Sequence, residues 1–152
     1  MPIEANQPAP TFNLADETGA FHSLEDYRGK PVVLYFYPKD DTPGCTKEAC
    51  SFRDGYASYQ KAGVVIFGVS ADSSKSHAKF KEKYSLPFSL LADEGHIVSE
   101  LYGVWGKKKF MGREFYGILR TTFLIGPDGT ILNVFPNVKP DGHADEVLEA
   151  LK

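Results

Sequence analysis

Two unbroken apolar runs constrain the fold of this chain more than any other feature. Residues 32–37 read Val-Val-Leu-Tyr-Phe-Tyr, and residues 64–70 read Val-Val-Ile-Phe-Gly-Val-Ser. Runs this short, rich in β-branched and aromatic residues and without polar alternation, suit strands covered on both faces. Between them, Cys45, Ala49, Phe52, Tyr56 and Tyr59 are spaced by 4, 3, 4 and 3 residues. That spacing predicts one face of a helix running from Cys45 through Tyr59, with Gly63 as its stop signal. The Phe52, Tyr56 and Tyr59 stripe is expected to be core packing rather than a ligand site.

Weaker signals extend the pattern. Residues 12–14 and 20–23 flank Asp16-Glu17-Thr18-Gly19, which predicts an N-terminal hairpin, and residues 24–27 a helical turn. Ser74 is placed to cap a helix running through Phe80 and Tyr84, closed by Pro87. Residues 88–91 are expected to form a short strand and residues 97–102 a short helix. Residues 121–125 and 130–134 flank Gly126-Pro127-Asp128-Gly129, a hairpin signal. The last helix runs through Ala144, Val147, Leu148 and Leu151. The alternation predicts one α/β domain over residues 1–152, in the order a thioredoxin-like sheet would show.

Composition removes several function classes. No stretch approaches the roughly 20 apolar residues of a membrane span. A net charge of −3 gives no electrostatic reason to expect nucleic acid. The first residues lack a basic segment followed by an apolar run, so no secretory signal is expected and the default compartment is a reducing cytosol. There, two cysteines are more often catalytic, redox-sensing or metal-binding than structural. His22, His77, His96 and His143 show no zinc-pair spacing, so no metal site is expected.

Cys45 sits where a buried strand, a tight loop and a helix N-terminus meet. The first N–H groups of a helix lack internal partners, and the helix dipole places partial positive charge there. Both favour thiolate over thiol. The Thr42 hydroxyl, three residues earlier, can donate and accept hydrogen bonds, which suits a peroxide. Pro43 and Gly44 would rigidify the loop and admit close approach of substrate to the backbone. Pro38 offers an apolar lid over the sulfur. Glu48, in the first helical turn, either complements the dipole or hydrogen-bonds within the loop.

Cys50 lies five residues beyond Cys45. On a regular helix that is about 500° of rotation and roughly 7.5 Å of rise, with Cα atoms about 8–9 Å apart. A disulfide needs Cα atoms closer than about 7 Å. If these two cysteines bond, the first helical turns must unwind.

Residues 38–45, Pro-Lys-Asp-Asp-Thr-Pro-Gly-Cys, resemble the P-x-x-x-T-x-x-C signature of peroxiredoxins. The continuation Cys45-Thr46-Lys47-Glu48-Ala49-Cys50 resembles their Q-type branch, the bacterioferritin comigratory proteins. Similarity extends to residues 8–12, 102–106 and 120–125. The resemblance implies a thioredoxin fold with an N-terminal β-hairpin and reduction of hydrogen peroxide and organic hydroperoxides. It assigns Cys45 as the peroxidatic cysteine, oxidised to a sulfenic acid, and Cys50 as the resolving cysteine that forms the disulfide. It brings Arg120 to the site to stabilise the thiolate and the departing oxygen. It implies thioredoxin or a similar dithiol as reductant, a monomer, and no metal or organic cofactor.

Two other functions share this chemistry. A general thiol–disulfide oxidoreductase usually carries Cys-x-x-Cys, whereas the spacing here is Cys-x-x-x-x-Cys. A peroxide-sensing redox switch would use the same oxidation without turnover. Lys107, Lys108 and Lys109 are read as a solvated loop, or as a docking patch for an acidic surface on the reductant. Phe110, Phe115 and Tyr116 either rim the active site or pack beneath that loop.

Overall fold

Residues 2–151 are described in a computed structural model. In chain order the elements are β1 (Asn13–Ala15), β2 (Phe21–Ser23), a 3-10 turn (Leu24–Tyr27), β3 (Val32–Phe36), α1 (Pro43–Asp54) and α2 (Tyr56–Lys61). Then come β4 (Val65–Ser70), α3 (Ser74–Tyr84), β5 (Ser89–Ala92), α4 (Ile97–Leu101), β6 (Trp105–Phe110) and β7 (Arg113–Ile118). β8 (Thr121–Ile125), β9 (Ile131–Phe135) and α5 (His143–Ala150) complete the chain.

The first apolar run becomes β3, buried at every residue and central in a seven-stranded sheet of order β2-β1-β5-β4-β3-β8-β9. β3, β4 and β5 are parallel, β8 runs antiparallel to β3, and β9 runs antiparallel to β8 at the sheet edge. The mixed sheet carries helices against it, as the alternation of strands and helices predicted, and the N-terminal hairpin expected around Asp16–Gly19 lies at one edge. Side chains of a strand alternate between faces. Leu34 and Phe36 therefore join Phe67, Val69, Tyr102 and Phe123 in one core, and Val33, Tyr35 and Tyr37 join Cys45, Phe52, Tyr59, Phe80 and Val147 in the other. The expected core stripe holds, with Phe52 and Tyr59 buried and Tyr56 packed against them.

Local details differ from expectation. The helix starts at Pro43, two residues before Cys45, because Pro suits the first helical position and has no N–H to leave unpaired. It does not run through Tyr59 but breaks at Gly55, the residue with the weakest helical preference after Pro. Ser73, not Ser74, caps α3, its hydroxyl accepting the Ser76 N–H at 3.1 Å. That helix ends at Ser85, in the left-handed region at φ 51°, before Pro87 is reached.

The largest correction concerns Lys107, Lys108 and Lys109. They lie in β6, which pairs with β7 in a separate two-stranded ribbon, and not in a loop. Met111 and Gly112 turn the ribbon at φ 51° and 80°. Phe110, Phe115 and Tyr116 stand exposed on it rather than packing underneath. Lys108 folds back across Gly117, and its Nζ donates to the Ile118 carbonyl at 2.7 Å. Among the described residues, no helix is long and apolar enough to cross a membrane.

Candidate active site

Cys45 occupies the first turn of α1 and is 1% exposed, its side chain set among Tyr35, Ala49 and Phe52. Thr46 closes the first helical hydrogen bond, onto the Thr42 carbonyl at 2.8 Å. Pro43 has no N–H, so Gly44 and Cys45 present the backbone N–H groups that the helix start leaves without an internal acceptor.

Arg120 enters from the residue immediately before β8. Its Nη2 donates to Cys45 Sγ at 3.2 Å, and its Nη1 donates to Glu48 Oε1 at 2.7 Å. Strand β8 lies beside β3, and β3 leads into the loop before Cys45, so the sheet brings together residues 75 apart in sequence. Glu48 is fully buried one turn beyond Cys45. Burial pushes its carboxyl up to about 7, against the opposing pull of the Arg120 guanidinium. Negative charge on Cys45 and Glu48 holds Arg120 above its ordinary value despite burial.

Gly44 is the gap through which Arg120 reaches the sulfur. A Cβ at this position would stand 3.1 Å from Arg120 Nη2 and 3.5 Å from Pro140 Cγ. Tyr35 lies under α1, stacked on Phe52 at 4.9 Å between ring centres. The Tyr35 hydroxyl and Glu48 Oε2 are buried without a hydrogen-bond partner among the described residues. Burial and the charges of Glu48 and Cys45 push the Tyr35 phenol well above its usual range.

The remaining predicted residues lie around this centre. Thr42 is the residue before α1, half-buried, with its hydroxyl donating to the Lys39 carbonyl at 2.8 Å. The donated hydrogen is thus occupied and the oxygen lone pairs stay available. Pro38 is half-buried at the exit of β3, and Pro43 is exposed at the helix start. Cys50 is not brought to Cys45. It is half-buried and lines a separate depression of about 470 Å³ with Lys47, Ser51, Asp54 and Asp145. Both cysteines are free thiols.

Three features were not assigned from the sequence. Glu48 pairs with Arg120 rather than within its loop, across 72 residues, and no local signal announces that. Lys108 is half-buried, and burial followed by the neighbouring Arg120 charge pushes its ammonium down, with Cys45 opposing. His77, one of the scattered histidines, is buried against Asp40 of the active-site loop.

A buried thiol at a helix start, with a guanidinium on its sulfur and a thioredoxin-like sheet behind it, defines the class of thiol-dependent peroxidases. Residues 5–134 match the AhpC/TSA family. The chain is 55% identical over 151 residues to the putative peroxiredoxin bcp of Coxiella burnetii, covering 99% of this chain and 100% of that one. It is 49% identical over 152 residues to peroxiredoxin Bcp of Bacillus subtilis, covering 100% and 97%. Among solved structures it superposes on the bacterioferritin comigratory protein of Xanthomonas campestris with TM-score 0.91 at 38% identity, covering 97% of each chain. Peroxidoxin BcpB of Mycobacterium tuberculosis gives 0.87 at 36% identity, covering 98% and 96%. The chain belongs to the AhpC/TSA family and, within it, to the Bcp or Q-type peroxiredoxins. It is a thiol-dependent peroxidase, and neither a redox switch without turnover nor a general disulfide oxidoreductase is favoured.

Proposed function

We propose that Cys45 is the peroxidatic cysteine and Cys50 the resolving one, acting in a single domain. The observation that carries this reading is the 3.2 Å approach of Arg120 Nη2 to Cys45 Sγ at the start of α1. The Cys45 thiolate attacks one oxygen of a hydroperoxide, and the O–O bond breaks. Cys45 becomes a sulfenic acid while the other oxygen leaves, with one proton, as water or an alcohol. Arg120 and the free N–H groups of the helix start face the charge that develops on both oxygens. The Thr42 oxygen accepts a hydrogen bond from the peroxide, Gly44 and Pro43 shape the loop that receives it, and Pro38 screens the sulfur from bulk water.

The helix start then unwinds. The Cys50 thiolate attacks the Cys45 sulfur, the S–S bond forms, and hydroxide leaves to be protonated to water. Two electrons from an external dithiol, thioredoxin or a similar protein, restore both thiols. The depression beside Cys50 gives such a partner an approach, because Cys50 is already half-exposed there. Hydrogen peroxide and organic hydroperoxides are the proposed substrates. The second class draws support from the Xanthomonas campestris relative, whose structures address alkyl peroxide reduction. The proposed setting is the cytoplasm, with the protein working as a monomer.

The test is mass spectrometry of the Cys50→Ser variant after a single equivalent of hydrogen peroxide. A trappable sulfenic acid on Cys45 is expected. Oxidation of Cys50 before Cys45 in the unsubstituted protein would reverse the two roles. Oxidation of Cys45 at the rate of free cysteine would remove the catalytic assignment.

A further inference from the structure

The loop leading to Cys45 is held from the side of α3 by a buried polar cluster for which the peroxide chemistry above has no use. Asp40 is 8% exposed and His77 0%. Asp40 Oδ2 lies 2.7 Å from His77 Nδ1 and accepts the Ser76 hydroxyl at 2.8 Å. Asp40 Oδ1 accepts the Tyr37 hydroxyl. The Asp40 backbone N–H donates to Asp72 Oδ2 at 2.8 Å, and the Ser70 hydroxyl donates to the same oxygen at 2.6 Å.

His77 Nε2 sits 2.9 Å from the Leu91 carbonyl oxygen. A carbonyl oxygen only accepts, so Nε2 carries a hydrogen. The contact between Nδ1 and Asp40 then holds a second proton, shared by ring and carboxylate. Asp40, Asp72 and His77 each offer an atom within 4.8 Å of the others, as a cation site would require. Those atoms are already engaged in protein hydrogen bonds, so the cluster is complete as a bolt between loop and helix.

The hold continues for one more residue. Asp41 stands at φ 55°, and its carboxylate accepts Lys83 Nζ and the Tyr84 hydroxyl, each at 2.8 Å. Past Asp41 the character of the loop changes. The Thr42 hydroxyl turns back onto Lys39, Pro43 has no N–H to donate, and Gly44 has no side chain. A firmly bolted segment therefore abuts the helix start that must open for Cys50 to reach Cys45.

We propose that Asp40 and His77 are positioning residues that clamp the loop into α1, and that the clamp sets how the Cys45 sulfenic acid divides between disulfide and further oxidation. The inference rests on the roles proposed above for the two cysteines. In the folded helix, the sulfenic acid can meet a second peroxide. That O–O bond breaks, one oxygen adds to sulfur to give the sulfinic acid, and the other leaves as water. In the unwound helix, Cys50 displaces the sulfenic oxygen as water instead. Weakening the clamp favours the unwound form, and so favours the disulfide.

The test compares His77→Leu with His77→Asn, whose amide can take the place of Nδ1 toward Asp40. Stopped-flow oxidation by hydrogen peroxide is measured with Cys50→Ser added. Intact-mass ratios of sulfinic acid to disulfide are measured with Cys50 present. For His77→Leu, loss of a buried hydrogen bond is expected to slow oxidation about tenfold and to lower the sulfinic fraction by a similar factor. His77→Asn should recover most of both. A lowered melting temperature with an unchanged sulfinic fraction, or a raised fraction, overturns the clamp. If His77→Leu does not fold, Ser76→Ala removes one donor to Asp40 and is judged by the same ratio. Absence of any Cys45–Cys50 disulfide in the unsubstituted protein overturns the cysteine roles instead.

Discussion

Glu48 holds Arg120 in place over Cys45: one carboxylate oxygen accepts Nη1 at 2.7 Å, while Nη2 of the same guanidinium reaches the sulfur at 3.2 Å. The carboxylate and the sulfur thus share one cation in a buried setting. Because burial raises the Glu48 carboxyl to about 7, its charge changes near neutrality. When it is neutral, the guanidinium charge is left to the sulfur. Peroxide oxidation of Cys45 should therefore show an inflection near pH 7 that belongs to Glu48. Glu48→Gln still accepts from Arg120 through its amide oxygen and should lack that inflection. Rates measured across pH 5–9 decide it, and an inflection surviving in Glu48→Gln would place the titration elsewhere.

The same carboxyl predicts a stability trend. Its folded value lies above 4.5, so the folded chain holds the proton that the unfolded chain releases first. Its favourable contribution is present below about pH 4.5 and is lost as pH rises through about 7. Glu48→Gln should be the more stable protein above that point, by up to about 3 kcal/mol. Urea melts at pH 5 and pH 8 test this, with the difference between the two proteins expected at the higher pH only.

Gly44 separates catalysis from stability. In Gly44→Ala the new methyl group would press on Arg120 Nη2 at 3.1 Å, and the long arginine side chain can yield. The guanidinium is then displaced from the sulfur while the core is untouched. Oxidation of Cys45 should fall by about 10²-fold, comparable to losing one preorganised donor, with a melting temperature close to that of the unsubstituted protein. Gly68→Ala should do the reverse. Its Cβ would stand 2.8 Å from the Tyr35 ring and 2.9 Å from Leu90 Cδ2, both buried, at a cost of about 1–3 kcal/mol. Stopped-flow rates should therefore fall in Gly44→Ala at an unchanged denaturant midpoint, and the midpoint should fall in Gly68→Ala at an unchanged rate.

The legibility of the sequence follows the range of the interactions involved. The sheet centre was readable because β3 and β4 are buried on both faces and carry no polar alternation. Cys45 was readable because its setting is local: strand, Pro-Gly loop, helix start. The β6–β7 ribbon was not, because its mostly solvated faces impose no apolar period. Its one local signal was the Met111-Gly112 turn. Arg120 came only through family resemblance, since its meeting with Cys45 spans 75 residues. Asp40 and His77, 37 residues apart, left no pattern, because a buried polar pair is defined by tertiary neighbours and not by spacing.

Oxidation should leave its mark on one end of α1. The helix runs Pro43–Asp54 with Cys45 in its first turn, and Cys50 lies on another face in a separate depression. A disulfide requires Cα atoms closer than about 7 Å, which a regular helix does not allow at this spacing. The bond from Thr46 N–H to the Thr42 carbonyl, which closes the first turn, should be among those lost. The end of α1 should stay folded, because Phe52 is locked between Tyr35, Tyr59 and Phe88. Hydrogen exchange on the disulfide form should therefore rise over residues 46–50 and stay slow at residues 52–54, with a small loss of circular-dichroism helicity. Uniform protection along the whole of α1 after oxidation would mean that Cys50 reaches Cys45 by some motion other than unwinding.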